Sequence, residues 1–471
     1  MSEYRTTRAL DVLLTVDRGA GSLRRQVEQE LRGAIRSGRL REGTVLPSTR
    51  ALASQLGVSR GVVVEAYDQL VAEGYLLARQ GQATRVAEMA AAAQTGRRAE
   101  EAPQPLRYDF RPGVPALDTF PRTAWLASLR KALREVPHAA LGYGDPRGLL
   151  SLREALAAHL GRVRGVVVEP EQLLICSGFA QGLGLVCRSL RRNGARRLAV
   201  EDPSHPGQRG IVAYSGLDPV PIPADERGLR VDLLEKSPAD AVLLTPAHQF
   251  PTGAVLAPER RAGLVEWAER HDAVIVEDDY DAEYRYDREP IGALQGLAAE
   301  HVIYAGSASK TLAPGLRLGW LVLPAELIDA VAEEKALDDL ASPALEQLAF
   351  ADFLSRGEVD RHLRRNRARY SSRRDALLSA LKTNAPHVTV RGIAAGLHAV
   401  AELPLETDEA AVVAAARERS VGAYGMADYR FPGTSGPPAL VLGYGGLGER
   451  AIEAGVRLLA LAISAPSISS R

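Results

Sequence analysis

The chain has 471 residues, 46% of them hydrophobic and 25% charged, with 58 basic side chains balanced by 58 acidic ones. That composition excludes a disordered or fibrous chain, and at about 100–200 residues per domain the length excludes a single small module. Overall neutrality excludes a uniformly basic polyelectrolyte, yet residues 1–88 hold 13 arginines against 10 acids, a local +3 that leaves −3 for the rest and is compatible with a DNA partner.

The first 21 residues scatter Glu3, Arg5, Arg8, Asp11, Asp17 and Arg18 around one short apolar patch, unlike a signal peptide. No uncharged apolar run approaches the ~20 residues of a membrane helix. Cys176 and Cys187 are too few for a disulfide framework and lack metal-ligand spacing to histidines, so a reducing cytoplasm and no metal are expected. Only five lysines occur, Lys131, Lys236, Lys310, Lys335 and Lys382, which makes a lysine in a distinctive setting informative.

In chain order, Leu23, Val27, Leu31, Ala34 and Ile35 recur at helical spacing and Gly38 follows as a stop. The stretch "STRALASQLGVSRGVVVEAYDQLVAEGYL" divides at Gly57 into a short and a longer helix, capped by Ser48 or Thr49 and by Ser59. A strand pair fits "YLLARQGQATRVA". Three helices and a hairpin make the winged helix-turn-helix plan, whose third helix, from Ser59 to about Glu73, enters the major groove. Arg60 beside Ser59 is placed for base edges, Arg50 with Ser48 and Thr49 for phosphates, and Arg79, Gln80 and Gln82 lie on the wing. The sequence "LPSTRALASQLGVSRGVVVEAYDQLVAEGYL" resembles the GntR-type winged-helix regulators. Two positions depart from that pattern: Arg24 stands where an aromatic is common, and "GQAT" replaces "GSGT".

Residues 88–106 lose the apolar stripe and read as a linker between a DNA-binding domain at 1–87 and a larger domain at 107–471. A flexible chain of 19 residues spans ~25 Å root-mean-square. From Arg107 onward apolar runs such as "QLLIC", "RRLAV", "DAVLLTP", "AVIVEDD" and "HVIYAGS" alternate with helical patterns, which predicts an α/β domain with a mostly parallel sheet.

Three strand ends in that domain carry chemistry. Lys310 follows "HVIYA" within "GSASKTLAPGLRLGW", an amine able to form a Schiff base with an aldehyde, and Ser307, Ser309 and Arg317 suit a phosphate. Asp278 and Tyr280 end "AVIVEDDY", where a carboxylate can keep a pyridinium protonated and a phenol can bond the ring oxygen. At "QLLICSGFAQGL" a helix begins whose backbone N–H groups at Gly178, Phe179 and Ala180 can hold an anion.

With "YGDPRGLLSLREAL", "EDPSHPG", "TPAHQFPTG", "EDDYDAEYRY" and "SASKTLAPGLRLGW", the region from Tyr108 to near the C-terminus resembles the fold-type I pyridoxal-phosphate (PLP) aminotransferases. The resemblance implies that Lys310 holds the cofactor as a Schiff base, Asp278 pairs with its ring nitrogen, and Tyr280 contacts its ring oxygen. It also implies that His205 stacks on the ring and that Tyr143 reaches the phosphate of a neighbouring subunit, hence a homodimer. Joined to the winged helix, this half is similar to the MocR subfamily of GntR regulators, in which the aminotransferase-like domain is a sensor.

Two departures bear on sensor against catalyst. Phe250 precedes "PTG" where many transaminases have an asparagine, and Val441 stands where many carry the arginine that grips a substrate carboxylate. Valine cannot form that pair. Either Val441 is an ordinary core residue with the arginine supplied elsewhere, for which Arg430 is a candidate, or the effector lacks an α-carboxylate. "GYGGLG" at 443–448 reads as a strand-to-helix turn. The expected function is a cytoplasmic, PLP-dependent DNA-binding regulator that senses an amino compound, or PLP itself, by exchange at the Lys310 Schiff base. The alternatives are an active PLP-dependent aminotransferase with an accessory DNA-binding head, and a repressor that uses the large domain only to dimerise.

Overall fold

Serine caps and one left-handed glycine set the helix boundaries near the N-terminus. In the computed structural model, which describes residues 14–17, 19, 21–79, 82–88, 106–286 and 291–464, helices span Leu23–Arg36, Thr49–Leu56 and Arg60–Ala72. The Ser48 and Ser59 hydroxyls accept from the amides of Ala51 and Val62, at 3.2 and 3.5 Å, and Gly57 ends the short helix at φ 64°. Val27 and Leu31, Leu52, and Val63, Ala66 and Leu70 bring the three apolar faces into one cluster. Strand Leu76–Leu77 pairs antiparallel with Arg85–Val86, and Leu76 and Val86 join the same core. The third helix is tied down by the Tyr67 hydroxyl donating to the Pro47 carbonyl (2.9 Å) and by Arg32 gripping Glu73 (2.7 Å) just past its end.

The chain divides into two units, Met1–Pro103 and Gln104–Arg471. All but the two ends of the expected linker, 88–106, lies outside the described residues. The second unit is built on an eight-stranded sheet in the order Leu173–Cys176, Gly319–Val322, Val302–Ser307, Val274–Asp279, Ala241–Leu244, Arg197–Asp202, Asp218–Asp225, Gly228–Leu229. Neighbours from Val302–Ser307 to Asp218–Asp225 are parallel, whereas Gly319–Val322 and the short Gly228–Leu229 run against theirs. The central strands are short apolar runs because helices cover both faces. Leu243 packs with the helix Phe179–Arg192 on one face, while Val242 and Leu244 pack with Leu264 and Trp267 on the other.

A second, antiparallel sheet orders Thr389–Arg391, His398–Glu402, Ala439–Gly443 and Tyr424–Gly425. Strand alternation in the sequence does not by itself separate it from the main sheet. The glycine-rich run at 443–448 is the turn between Ala439–Gly443 and helix Glu449–Ile463. Its glycines also admit a close neighbour: a Cβ on Gly443 or Gly445 would lie 2.2 or 2.4 Å from the carbonyls of Arg111 or Val114. Residues 110–114 therefore cross that turn, and they lead Arg111 and Gly113 into the site described below.

Candidate functional site

A cavity of about 480 Å³ opens at the C-terminal edge of the parallel strands, where such sheets place ligands. Among its lining residues are Lys310, Asp278, Tyr280, His205, Ser307, Ser309, Arg317, Phe179 and Ala180, all singled out from the sequence. Lys310 sits in one helical turn, Ala308–Thr311, directly after Val302–Ser307, and its Nζ donates to the Gly113 carbonyl at 2.7 Å. The Ser307 hydroxyl accepts from the Ser309 amide at 3.0 Å.

Gly178 does not itself line the cavity; it caps helix Phe179–Arg192 at φ 84°, ψ 172°, with no side-chain cap on the helix. Arg317, also left-handed at φ 48°, donates to the Ser177 carbonyl and occupies the space where a Gly178 Cβ would be, 2.8 Å from its guanidinium. First-turn amides, two serines and a guanidinium thus converge as an anion cradle. Gly178→Ala combines a glycine-only backbone conformation, costing about 1–3 kcal/mol, with displacement of Arg317. Retention of a phosphorylated ligand is expected to weaken by about tenfold or more, read by dialysis against pyridoxal phosphate; unchanged retention would remove Arg317 from the cradle.

Strand alternation decides between the two aspartates. Asp278 faces the cavity and accepts from the Gln208 amide at 2.7 Å. Asp279 faces away, to Arg164 Nε and the Tyr304 hydroxyl, both at 2.7 Å, in a buried structural pair. Burial first, then the neighbouring Asp279, pushes Asp278 up to about 8. Burial likewise pushes Glu201 and Glu277 up to about 7. Lys310 is lowered by burial, an effect that Asp278 and Asp281 oppose.

Acids raised above their unfolded values hold protons more tightly when folded, so their stabilisation is present in acid and lost as pH rises through the folded values. His398, lowered to about 4 by burial, acts in the opposite sense only below about pH 6.5. The ligand-free protein is therefore expected to lose thermal stability between about pH 6.5 and about pH 8, and Asp278→Asn to lose less. A variant whose midpoint falls as steeply as the wild type would contradict a protonated Asp278.

Several residues reach the cavity that sequence reasoning had not assigned: Arg111, Gly113, Gln208, Tyr424 and Tyr429. Arg111 donates to the Tyr424 hydroxyl at 2.9 Å, and that hydroxyl donates to Asp109 at 2.8 Å. Phe250 lines the cavity with its ring 5.7 Å from that of His205. His205 Nδ1 accepts from the Gly207 amide at 3.0 Å. Arg430 lies elsewhere: it lines a separate cavity with Arg391, Glu402 and Met426 and donates to the Pro437 carbonyl at 2.9 Å. Val441 is fully buried with Val400, Met426, Tyr429 and Ala439, as an ordinary core strand residue. Tyr143 is 91% exposed and borders a third cavity, formed by residues 140–145, 148–149 and 339–347.

Residues 23–86 match the bacterial regulatory proteins of the gntR family, and residues 114–425 match aminotransferase class I and II. The chain is 34% identical over 429 residues to the HTH-type pyridoxine biosynthesis transcriptional regulator PdxR of Corynebacterium glutamicum, covering 90% of this chain and 92% of that protein. It is 33% identical over 472 residues to the probable rhizopine catabolism regulatory protein MocR of Rhizobium meliloti, covering 95% of each. The chain belongs to the MocR-type GntR regulators. Among solved structures, the multiple substrate aminotransferase of Thermococcus profundus superimposes with a TM-score of 0.70 at 28% identity, covering 77% of this chain and 92% of that one.

The aminotransferase class I and II fold implies pyridoxal phosphate, and the regulator's cavity suits that molecule chemically. It offers an amine for an aldehyde, an anion cradle for a phosphate, and a carboxyl group able to share a proton with a pyridine nitrogen. On the regulator's other unit, Ser48, Arg50, Ser59, Arg60, Arg79 and Gln82 are exposed and Thr49 is half-buried. Arg60 Nε lies 3.4 Å from the Thr49 hydroxyl, bringing the starts of the second and third helices together. Gln80 lies outside the described residues. Both cysteines are free and buried. Among the described residues no helix is long and apolar enough to cross a membrane.

Proposed function

We propose that this protein is a PLP-dependent regulator in which an amino compound, or PLP itself, is sensed at Lys310 and read out as a change in operator occupancy. The observation that carries this reading is the Lys310 amine sharing one cavity with Asp278 and the Arg317 cradle, in a chain that also bears a winged helix. When bound, pyridoxal phosphate supplies an aldehyde reactive towards amines and an electron-withdrawing ring. Lys310 offers the amine, Asp278 holds a proton opposite the ring nitrogen, and Tyr280 meets the ring oxygen. Ser307, Ser309, Arg317 and the amides of Phe179 and Ala180 hold the phosphate, and His205 stacks on the ring.

An effector carboxylate, where one is present, meets Arg111, whose guanidinium borders the cavity. In this reading residues 1–87 bind DNA, 88–106 link, and 107–471 sense and dimerise, in the cytoplasm. Dimerisation is supported by apolar groups gathered at one surface, with Leu141 57%, Tyr143 91% and Leu340 56% exposed. The test is the visible spectrum of full-length protein with pyridoxal phosphate, titrated with amino compounds with and without an oxo-acid acceptor. A stoichiometric spectral change without turnover, together with altered operator binding, is expected. Sustained turnover would make the protein an aminotransferase, and no visible band would remove the cofactor.

A further inference from the structure

Beside Tyr280 lies a buried polar cluster that the proposed function leaves without a task. His248, Asp281 and His398 are only 3%, 1% and 3% exposed, and their nitrogen and oxygen atoms lie within 4.8 Å of one another. His248 Nδ1 is 3.1 and 3.0 Å from the two Asp281 carboxylate oxygens and 3.0 Å from the Tyr280 hydroxyl. An ionised carboxylate accepts only, so the Asp281 contacts put the hydrogen on His248 Nδ1. That hydrogen then faces the phenolic oxygen as well.

We propose that His248 and Asp281 are positioning residues that orient the Tyr280 hydroxyl: Asp281 fixes the His248 tautomer, and His248 Nδ1–H donates to the phenolic oxygen, leaving the phenol's own hydrogen to donate into the cavity. The inference rests on the reading that pyridoxal phosphate occupies the cavity with its ring oxygen at Tyr280.

The surroundings favour a fixed arrangement. His398 Nε2 donates to the Pro251 carbonyl at 3.0 Å, and its ring centroid is 5.2 Å from that of His248. Burial, then the neighbouring His248, lowers His398 to about 4, so it stays neutral beside His248. Burial, reinforced by Asp281, Asp278 and Glu201, holds Tyr280 well above the usual phenol range, which keeps it a donor. Lys310, Arg111 and Arg317 also line the cavity, and Asp278 and Asp281 oppose the loss of a proton from Lys310. Tyr284, Tyr286 and Tyr444 are also raised, mainly by burial, with Asp281 contributing to each. Each of those three donates to a backbone carbonyl, of Thr311, Gly396 and Ala395 or Gly396 respectively, so none competes for the His248 hydrogen. The competing geometry has the phenol donate to Asp281 instead, which turns its lone pairs to the cavity.

A hydrogen bond donated to an ionised oxygen lowers the pH at which that oxygen gives up its proton. The test is the pH midpoint of the absorption change of the cofactor-loaded, full-length protein, with thermal unfolding as the check on folding. Tyr280→Phe is expected to raise the midpoint by about one unit, tenfold in proton affinity. Asp281→Asn and His248→Phe are expected to raise it in the same direction, and Tyr280→Phe/Asp281→Asn no further than Tyr280→Phe alone. Asp281→Asn is nearly isosteric and keeps the test open should His248→Phe fail to fold. A midpoint that stays or falls in Tyr280→Phe, or additive shifts in the double variant, would overturn the proposal. Absence of any visible band in the wild type would instead overturn the cofactor reading and this inference with it.

Discussion

Lys310→Ala is expected to yield a folded, DNA-binding protein that stays colourless with pyridoxal phosphate and whose operator occupancy no longer responds to amino compounds. The Lys310 amine is held by the Gly113 carbonyl at 2.7 Å and partly stripped of water, which lowers its proton affinity and leaves more of it as the free, nucleophilic amine. Alanine removes the only amine among the described residues lining the cavity, while the Arg317 cradle and Asp278 remain to bind non-covalently. Intramolecular reactions between well-held partners gain orders of magnitude in effective concentration, so retention of the cofactor should fall by about a hundredfold or more. The side chain borders an open cavity and makes no ion pair among the described residues, so folding stability should change by less than about 1 kcal/mol. Absorption spectra, dialysis and anisotropy on operator DNA read the three quantities separately. An alanine variant that still altered DNA occupancy on effector addition would place sensing somewhere other than Lys310.

Which parts of this site could be read from the sequence follows from how far apart its residues lie along the chain. Lys310, Ser307, Ser309 and Arg317 fall within one strand and the turn after it, and Asp278 and Tyr280 at the end of the neighbouring parallel strand, so local motifs capture them. Gly113 meets Lys310 across a separation of 197 residues, and Gln208 meets Asp278 across 70. No local pattern announces such contacts. The signal for Gly113 was present in the glycines of 443–448, whose missing side chains admit the segment 110–114, but that use of glycine shows only once both segments are in place. Arg430 is a candidate because it lies one loop before Val441, but its guanidinium donates to the Pro437 carbonyl and lines a different cavity, so proximity in sequence misleads. His248 stood inside a quoted motif without a role, because its partners Asp281 and His398 come from other elements.

Arg60→Ala should weaken operator binding by about 1–3 kcal/mol, roughly tenfold to a hundredfold, and should blunt discrimination against random DNA. Arg60 opens the third helix, is exposed, and has only a long 3.4 Å contact to the Thr49 hydroxyl, so its guanidinium is available to a base edge at little folding cost. Arg60→Lys should recover charge but not the forked geometry, and so restore affinity more than specificity. Arg50 offers the contrast. It lies at the start of the second helix, behind Ser48, where a contact to phosphate carries no sequence information. Arg50→Ala should therefore weaken operator and random duplex alike and lower the salt slope by about one. Anisotropy on both duplexes over a salt series separates the two behaviours. Equal losses on both duplexes for Arg60→Ala would make it a backbone contact, and specificity would then have to come from the wing residues Arg79 and Gln82 or from DNA shape.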